Sequence, residues 1–318
     1  MLQDKDKLRS TFTRAIDIVD LSNVKSTSKK LVDLGLKITL EHKRSSSLNK
    51  VDNVANLILQ TNLLKSISIL NLVSGLNHSN SLTGDSISTV YDPLSIGCLV
   101  RSQYESFCNF NNIYIQSSSN EELDLKYHLW VLAGLKNRQR FPATRPENIA
   151  KLHSEKVDID FHINSVKSNL RYSQLDEKSK IRLDEFINKR VWKVGFISDD
   201  VIELQWYQLF EKSGVSKFEQ YYNYLSALSH PTYISILQFG DSYSEEDIEL
   251  RADLNSAKML LYTSNAIVSF LIRDYIIHFE LNQNLETLPI IDQLIVNSFN
   301  SMFRGKDYVM NDSLNKLN

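Results

Sequence analysis

The chain is predicted to be all-α, a multi-helix bundle, on three observations. It holds only 9 Gly and 5 Pro among 318 residues, well below the usual shares of about 7% and 5%. Apolar residues recur at three- and four-residue spacing almost throughout, which is the helical period. No segment reads as a strand–helix–strand unit, and no internal repeat of fixed period is apparent. A chain of this length buries a large core in one or two domains. The expected organisation is an N-terminal helical subdomain or extension over 1–90 and a main bundle over 91–318.

Taken in order, residues 4–20 carry Leu8, Phe12, Ile16 and Val19 on one helical face, and a second helix spans about 28–43. SSSLN at 45–49 is a turn. The third helix, about 51–76, closes at Gly75 and the polar NHSNSLTGDS segment, which reads as an internal linker. Asp92–Pro93 supplies an N-cap and an N1 proline, opening an aromatic-rich helix over about 93–116. Ser119 and Glu122 fit a capping box for the next helix. KNRQRFPATRP is then a proline-bearing basic loop. Helices are expected at about 146–170, 176–192, 199–212 and 216–238, followed by a turn at GDSYSEED. One long helix or a broken pair fills 245–282, and the last helix covers 288–303.

Formal net charge is −2, so no global nucleic-acid or membrane signature exists. The balance is uneven, however. Residues 1–50 hold eleven Lys/Arg against six Asp/Glu, and 241–318 hold six against twelve. Cys98 and Cys108 on one helix lie about 15 Å apart along its axis, beyond disulfide reach. Unbridged thiols, a charged N-terminus without an apolar run, and a longest apolar stretch of about 14 residues (Met259 to Ile272) predict a cytoplasmic protein outside the membrane.

The stretch YYNYLSALSHPTY, Tyr221 to Tyr233, is the first candidate site. Ser226 and His230 stand four apart and share a helical face with Tyr222. Pro231 is expected to break the helix and free backbone polar groups beside His230. The plain alternative is a core histidine bonded to that freed backbone. Arg101 and Glu105 form the second candidate, an i,i+4 pair in a largely apolar helix, where a charge needs a partner. The bland reading there is an ion pair tying helices together. A third, Arg273 to His278, matches an Arg-x4–6-His spacing that chance alone supplies, inside an apolar stretch. Asp124/His128 and Asp158/His162 have i,i+4 spacing, but no Glu-x-x-His occurs. Without P-loop, GxGxxG, GxSxG or zinc-type cysteine spacing, neither metal nor cofactor is expected.

The RSQYE helix, the basic LKNRQRF loop, and YLSALSH followed by a long apolar helix resemble a family of bacterial all-helical proteins of unassigned activity. That family shows an Arg-x-x-x-Glu helix and a Leu-Ser-x-x-x-His-like element. The likeness spans about residues 92–282, and the family is in turn distantly similar to HEPN domains. Such domains are helical bundles of toxin and anti-phage systems that cleave RNA without metal. Ser226 stands where a HEPN arginine is expected, so Arg101 would have to supply the cation from a neighbouring helix. The resemblance implies a metal-independent ribonuclease or RNA-binding effector. His230 would be its general acid/base and Arg101 the phosphate-stabilising cation, with Glu105 orienting one of them and Ser226 beside them. Lys136, Arg138, Arg140 and Arg145 of the basic loop would then meet RNA phosphates. The alternative is a non-catalytic interaction module, binding a protein partner or a second copy of itself, in which the same residues form a structural polar network.

Overall fold

The computed structural model describes residues 2–216, 219–230, 232–241, 243, 247, 251–281 and 286–317. Helix accounts for 74% of the chain, so the protein is all-helical, with four short strands among the described residues. Two compact units are present: residues 1–110 with 213–318, and residues 111–212. The units do not divide near residue 90. Residues before and after that point pack into the same first unit, because its early helices need a long apolar helix from the C-terminal third to cover them.

The first unit contains α1 (Leu2–Ile16), α2 (Leu21–Ser45), α3 (Lys50–Leu72) and α4 (Pro93–Phe110) from the early chain. The late chain adds α10 (Glu219–Ser229), α11 (Tyr233–Asp241), α12 (Ala252–His278) and α13 (Ile290–Phe303). Helix α12 is the core element and packs against α2, α3, α4 and α13. It is long and apolar enough to cross a membrane by length and composition, longer than the stretch expected from sequence, yet 83% of its most apolar window is buried in the fold. A helix apolar on all sides is what a bundle centre requires.

Polar groups fix the register of these helices. Gln103 of α4 is fully buried and donates to the Asn62 carbonyl and Ser66 Oγ of α3, while its carbonyl accepts from Ser264 Oγ of α12. Asp92 caps α4 as expected, accepting from the Leu94 and Ser95 amides, each at 3.1 Å. Glycine lets α4 and α10 meet closely: a Cβ on Gly97 would stand 2.7 Å from the Leu228 side chain. Cys98 and Cys108, both on α4, are unbridged, one exposed and one buried.

The segment read as a linker is a hairpin, β1 (Leu76–Ser79) with β2 (Ser86–Val90). Its first strand is exposed at every position, so no apolar alternation marks it.

The second unit begins with a π-helical turn (Asn111–Ile115) and contains α5 (Asn120–Arg138), α6 (Pro146–Ser168), α7 (Leu170–Ser173), α8 (Glu177–Lys189) and α9 (Trp206–Lys212). The helix expected over 199–212 is shorter than that. Residues 200–203 form β4, paired with β3 (Val194–Ile197) across the turn Ser198–Asp199, where Ser198 takes a positive φ of 51°. Val194 and Val201 fill the same core as Leu125, Leu129, Leu183 and Val166, and that burial favours a hairpin over helix. The capping box is half realised. Ser119 Oγ accepts from the Glu122 amide, whereas the Glu122 carboxylate turns to Ser118 and to buried Lys126.

Candidate functional site

Helices α4 and α10 build the site within the first unit. Arg101 and Glu105 project one turn apart from α4, and Tyr222 comes from α10. His230 stands in the turn just after α10, which ends at Ser229. Pro231, the expected helix breaker, lies outside the described residues. The break is present all the same, and α11 starts at Tyr233. The His230 carbonyl, no longer in a helical ladder, accepts from the Thr232 amide at 2.7 Å and from Ser235 Oγ at 3.1 Å.

Three groups hold the Arg101 guanidinium. Its Nε donates to Glu105 Oε1 at 3.0 Å, its Nη2 to the Tyr222 hydroxyl at 3.3 Å, and its Nη1 lies 3.2 Å from His230 Nε2. Tyr222 in turn donates to the same Glu105 oxygen at 3.0 Å, closing a ring of hydrogen bonds. A guanidinium only donates, so the contact with His230 needs an accepting Nε2 and places the imidazole proton on Nδ1. Partial burial disfavours the Arg101 charge, but the bonds to Glu105 and Tyr222 outweigh it and hold the guanidinium pKa above its ordinary value. Burial, followed by the neighbouring Glu105 charge, raises the Tyr222 phenol. The arginine and glutamate side chains are 23% and 32% exposed and His230 is exposed, so the cluster opens to solvent.

Arg101, Glu105 and His230 therefore converge from distant parts of the chain. Ser226 is half-buried one turn before His230 and forms no hydrogen bond with the three among the described residues. Two participants were not assigned from sequence. Tyr222 sits on the row shared with Ser226 and His230, and that spacing was the available signal. Lys65 of α3 donates to Ser102 Oγ at 2.8 Å and to the Ser102 carbonyl at 3.3 Å. Burial lowers its pKa and the Glu105 charge opposes the shift. Nothing in the sequence pointed to Lys65.

The basic loop belongs to the second unit. Lys136 is half-buried and donates to the Ile187 carbonyl at 3.1 Å. Arg138 pairs with the buried carboxylate of Glu155. Lys136 and Arg138 lie in the last turn of α5 and not in the loop expected from residue 136; Arg140 and Arg145 are exposed, so two of the four cations are committed to the fold and two face solvent.

Arg273 and His278 do not form a site. Arg273 pairs with buried Asp274, and His278 packs edge-on against Phe110 and Phe279. The two Asp–His pairs give a different contact: His128 of α5 meets His162 of α6, Nδ1 to Nδ1, at 2.6 Å. No group of three or more His, Cys, Asp or Glu side chains converges as a metal site among the described residues.

Comparison with known proteins finds no matching family model, no matching curated protein and no matching solved structure.

Proposed function

We propose that the chain is a HEPN-like, metal-independent ribonuclease or RNA-binding effector whose active groups are Arg101 and His230, with a setting in bacterial defence. The observation that carries this reading is the 3.2 Å approach of Arg101 Nη1 to His230 Nε2 at a solvent-open edge. Once Arg101 turns from His230 toward a bound phosphate, the unprotonated Nε2 is released to act as a general base that takes the proton of a ribose 2′-hydroxyl. The 2′-oxygen then attacks the adjacent phosphorus and the bond to the 5′-oxygen breaks. That leaves a cyclic phosphate and a 5′-hydroxyl, the leaving oxygen taking a proton from the imidazolium or from water. The Arg101 guanidinium meets the charge that develops on the phosphoryl oxygens. Glu105 and Tyr222 aim it; in the second unit, the exposed Arg140 and Arg145 separately offer charge to phosphates.

One feature favours the second reading, a structural polar network in an interaction module. Each of the three guanidinium nitrogens already has one partner within the chain. Incubating single-stranded RNA with the protein in EDTA and analysing product ends separates the two. Cleavage to cyclic phosphate, abolished in a His230→Ala variant of unchanged melting temperature, supports the ribonuclease. Undiminished cleavage by a stable His230→Ala variant removes His230 from the chemistry. An RNA-inert wild type, with no salt-sensitive binding even near about 50 mM salt, leaves the interaction module.

A further inference from the structure

The second unit carries an aromatic residue that its own sequence keeps out of the core. Phe141 is the single aromatic among residues 136–151, a run that holds five Lys/Arg against one acid. Pro142 biases it toward extended backbone. A turn fixes where it leaves α5, since the Arg140 and Phe141 amides donate to the Asn137 and Arg138 carbonyls, each at 3.1 Å. The ring is 69% exposed and helps to line a crevice of about 210 Å³, to which α6 contributes Asn148, Lys151, Leu152 and Glu155. The buried end of this crevice is built in advance. Arg138 Nε donates to the carboxylate of Glu155, which is 3% exposed, at 2.9 Å, and Gln139 Nε2 donates to the Leu152 carbonyl at 3.0 Å. No side chain caps the N-terminus of α6, where Arg145 holds the N-cap position.

We propose that this crevice takes one unstacked base of single-stranded RNA, with the ring of Phe141 against its face and Arg140, Arg145 and Lys151 on the flanking phosphates. The proposal rests on the RNA reading of the chain and adds where a strand is gripped. Size selects a base. A crevice of about 210 Å³ falls below the roughly 300–1,000 Å³ of sites for drug-sized ligands, so a single ring system enters while sugar and phosphate stay outside. Charge selects what the base is attached to. The three cations are exposed, and the uncapped start of α6 adds amide donors and a dipole that favour phosphate. The one carboxylate of the lining, Glu155, is paired with Arg138, so it does not repel the strand. An aromatic platform among cations holds single strands because every base has a π-face. A duplex is excluded by the same geometry, since its bases stay in the stack. Asn148, exposed at the rim, has an amide that can both donate to and accept from a base edge.

The test uses the full chain carrying His230→Ala, so that the strand stays intact, and an oligouridylate of about 12 nucleotides holding one iodouridine. Irradiation should join that base to the Phe141 ring with loss of hydrogen iodide, read by mass spectrometry of the peptide. In fluorescence anisotropy Phe141→Leu, which keeps an apolar side chain but no ring face, should weaken binding about fivefold or more, whereas Phe141→Tyr should retain it. The dependence on salt should be unchanged in Phe141→Leu and shallower in Arg140→Ala with Arg145→Ala. A crosslink that maps only elsewhere, or equal binding with and without Phe141→Leu, overturns the crevice and leaves RNA binding in place. Uridine monophosphate binding as tightly as the oligonucleotide would assign the crevice to a free nucleotide and overturn the strand. A chain that binds no RNA even near about 50 mM salt overturns this proposal together with the RNA reading. A strand that crosslinks to Phe141 but is not cut by the wild-type chain supports the crevice and removes only the ribonuclease.

Discussion

Arg101 is held by a carboxylate, a phenol and an imidazole, and each contributes differently. Glu105 supplies the counter-charge and Tyr222 the direction, since its hydroxyl both accepts from the arginine and donates to the glutamate. Glu105→Gln keeps the shape but loses the charge. If RNA is cleaved, turnover should fall by about 10²-fold, the usual cost of a misaimed group, while stability changes by no more than about 1 kcal/mol at this part-exposed pair. Tyr222→Phe should lie between wild type and Glu105→Gln, and equal activity in all three proteins would show that the ring of hydrogen bonds does no aiming. A second prediction concerns His42, buried on α2 against α12. Asn56 donates to the Tyr275 hydroxyl at 2.7 Å, which leaves that hydroxyl to donate to His42 Nδ1 at 2.6 Å. Burial depresses the His42 pKa and pushes Tyr275 up to about 12. The unfolded chain thus binds a proton at His42 that the folded chain refuses. That contribution to stability is intact above the ordinary imidazole pKa of about 6.5 and is lost as pH falls below it. Urea unfolding between about pH 7.5 and 5 should be steeper in wild type than in His42→Gln, and parallel curves would exclude His42 as the titrating group. Of these residues, the Arg101–Glu105 pair was legible because a charge on an apolar helix demands a partner. Tyr222 was half legible, one of 14 tyrosines, distinguished only by its spacing. Lys65 was not, since a lysine beside serines on another helix carries no local signal.

At the scale of elements, the site depends on how closely α4 and α10 approach. Gly97 lies one turn before Arg101, and the space its missing side chain leaves is filled by Leu228, two residues before His230. Gly97→Ala should push the helices apart at a cost of about 1–3 kcal/mol. His230 would move away from Arg101, so activity should fall more than stability accounts for. Restoration by Gly97→Ala with Leu228→Ala, which reopens the space, would confirm the steric cause. An alanine at 97 with native stability and activity would show that α4 and α10 tolerate a wider spacing. Long periodic helices such as α2, α3 and α12 were legible from spacing, with ends off by several residues. The two hairpins were not. In β1 every residue is exposed, and in β3–β4 only Val194 and Val201 bury an apolar side chain fully, too few to override a helical reading of the flanks. The His128–His162 contact was hidden for another reason: i,i+4 spacing relates a histidine to its own helix, whereas this partner comes from the next one.

For the molecule as a whole, the first unit closes through Arg304, just after α13. Its guanidinium is fully buried, paired with the equally buried Asp274 of α12, and its Nε donates to the Ser213 carbonyl, where the chain re-enters the unit. It also lies over the rings of Phe107 and Tyr308. Removing one member of a buried ion pair strands the other, so Arg304→Met should cost about 3–5 kcal/mol. Calorimetry should show the loss in the unfolding of the unit formed by 1–110 and 213–318; a change under about 1 kcal/mol would mean that Arg273 alone satisfies Asp274. The split of this unit around residues 111–212 also sets a timetable for biosynthesis. When α2, α3 and α4 have left the ribosome, the helix that covers their apolar faces has not been made. At about 5–20 residues per second, α12 follows roughly ten to thirty seconds later. For that interval the nascent chain carries an open half-core, and a chaperone that shields it should raise the yield of folded protein more than one acting after release.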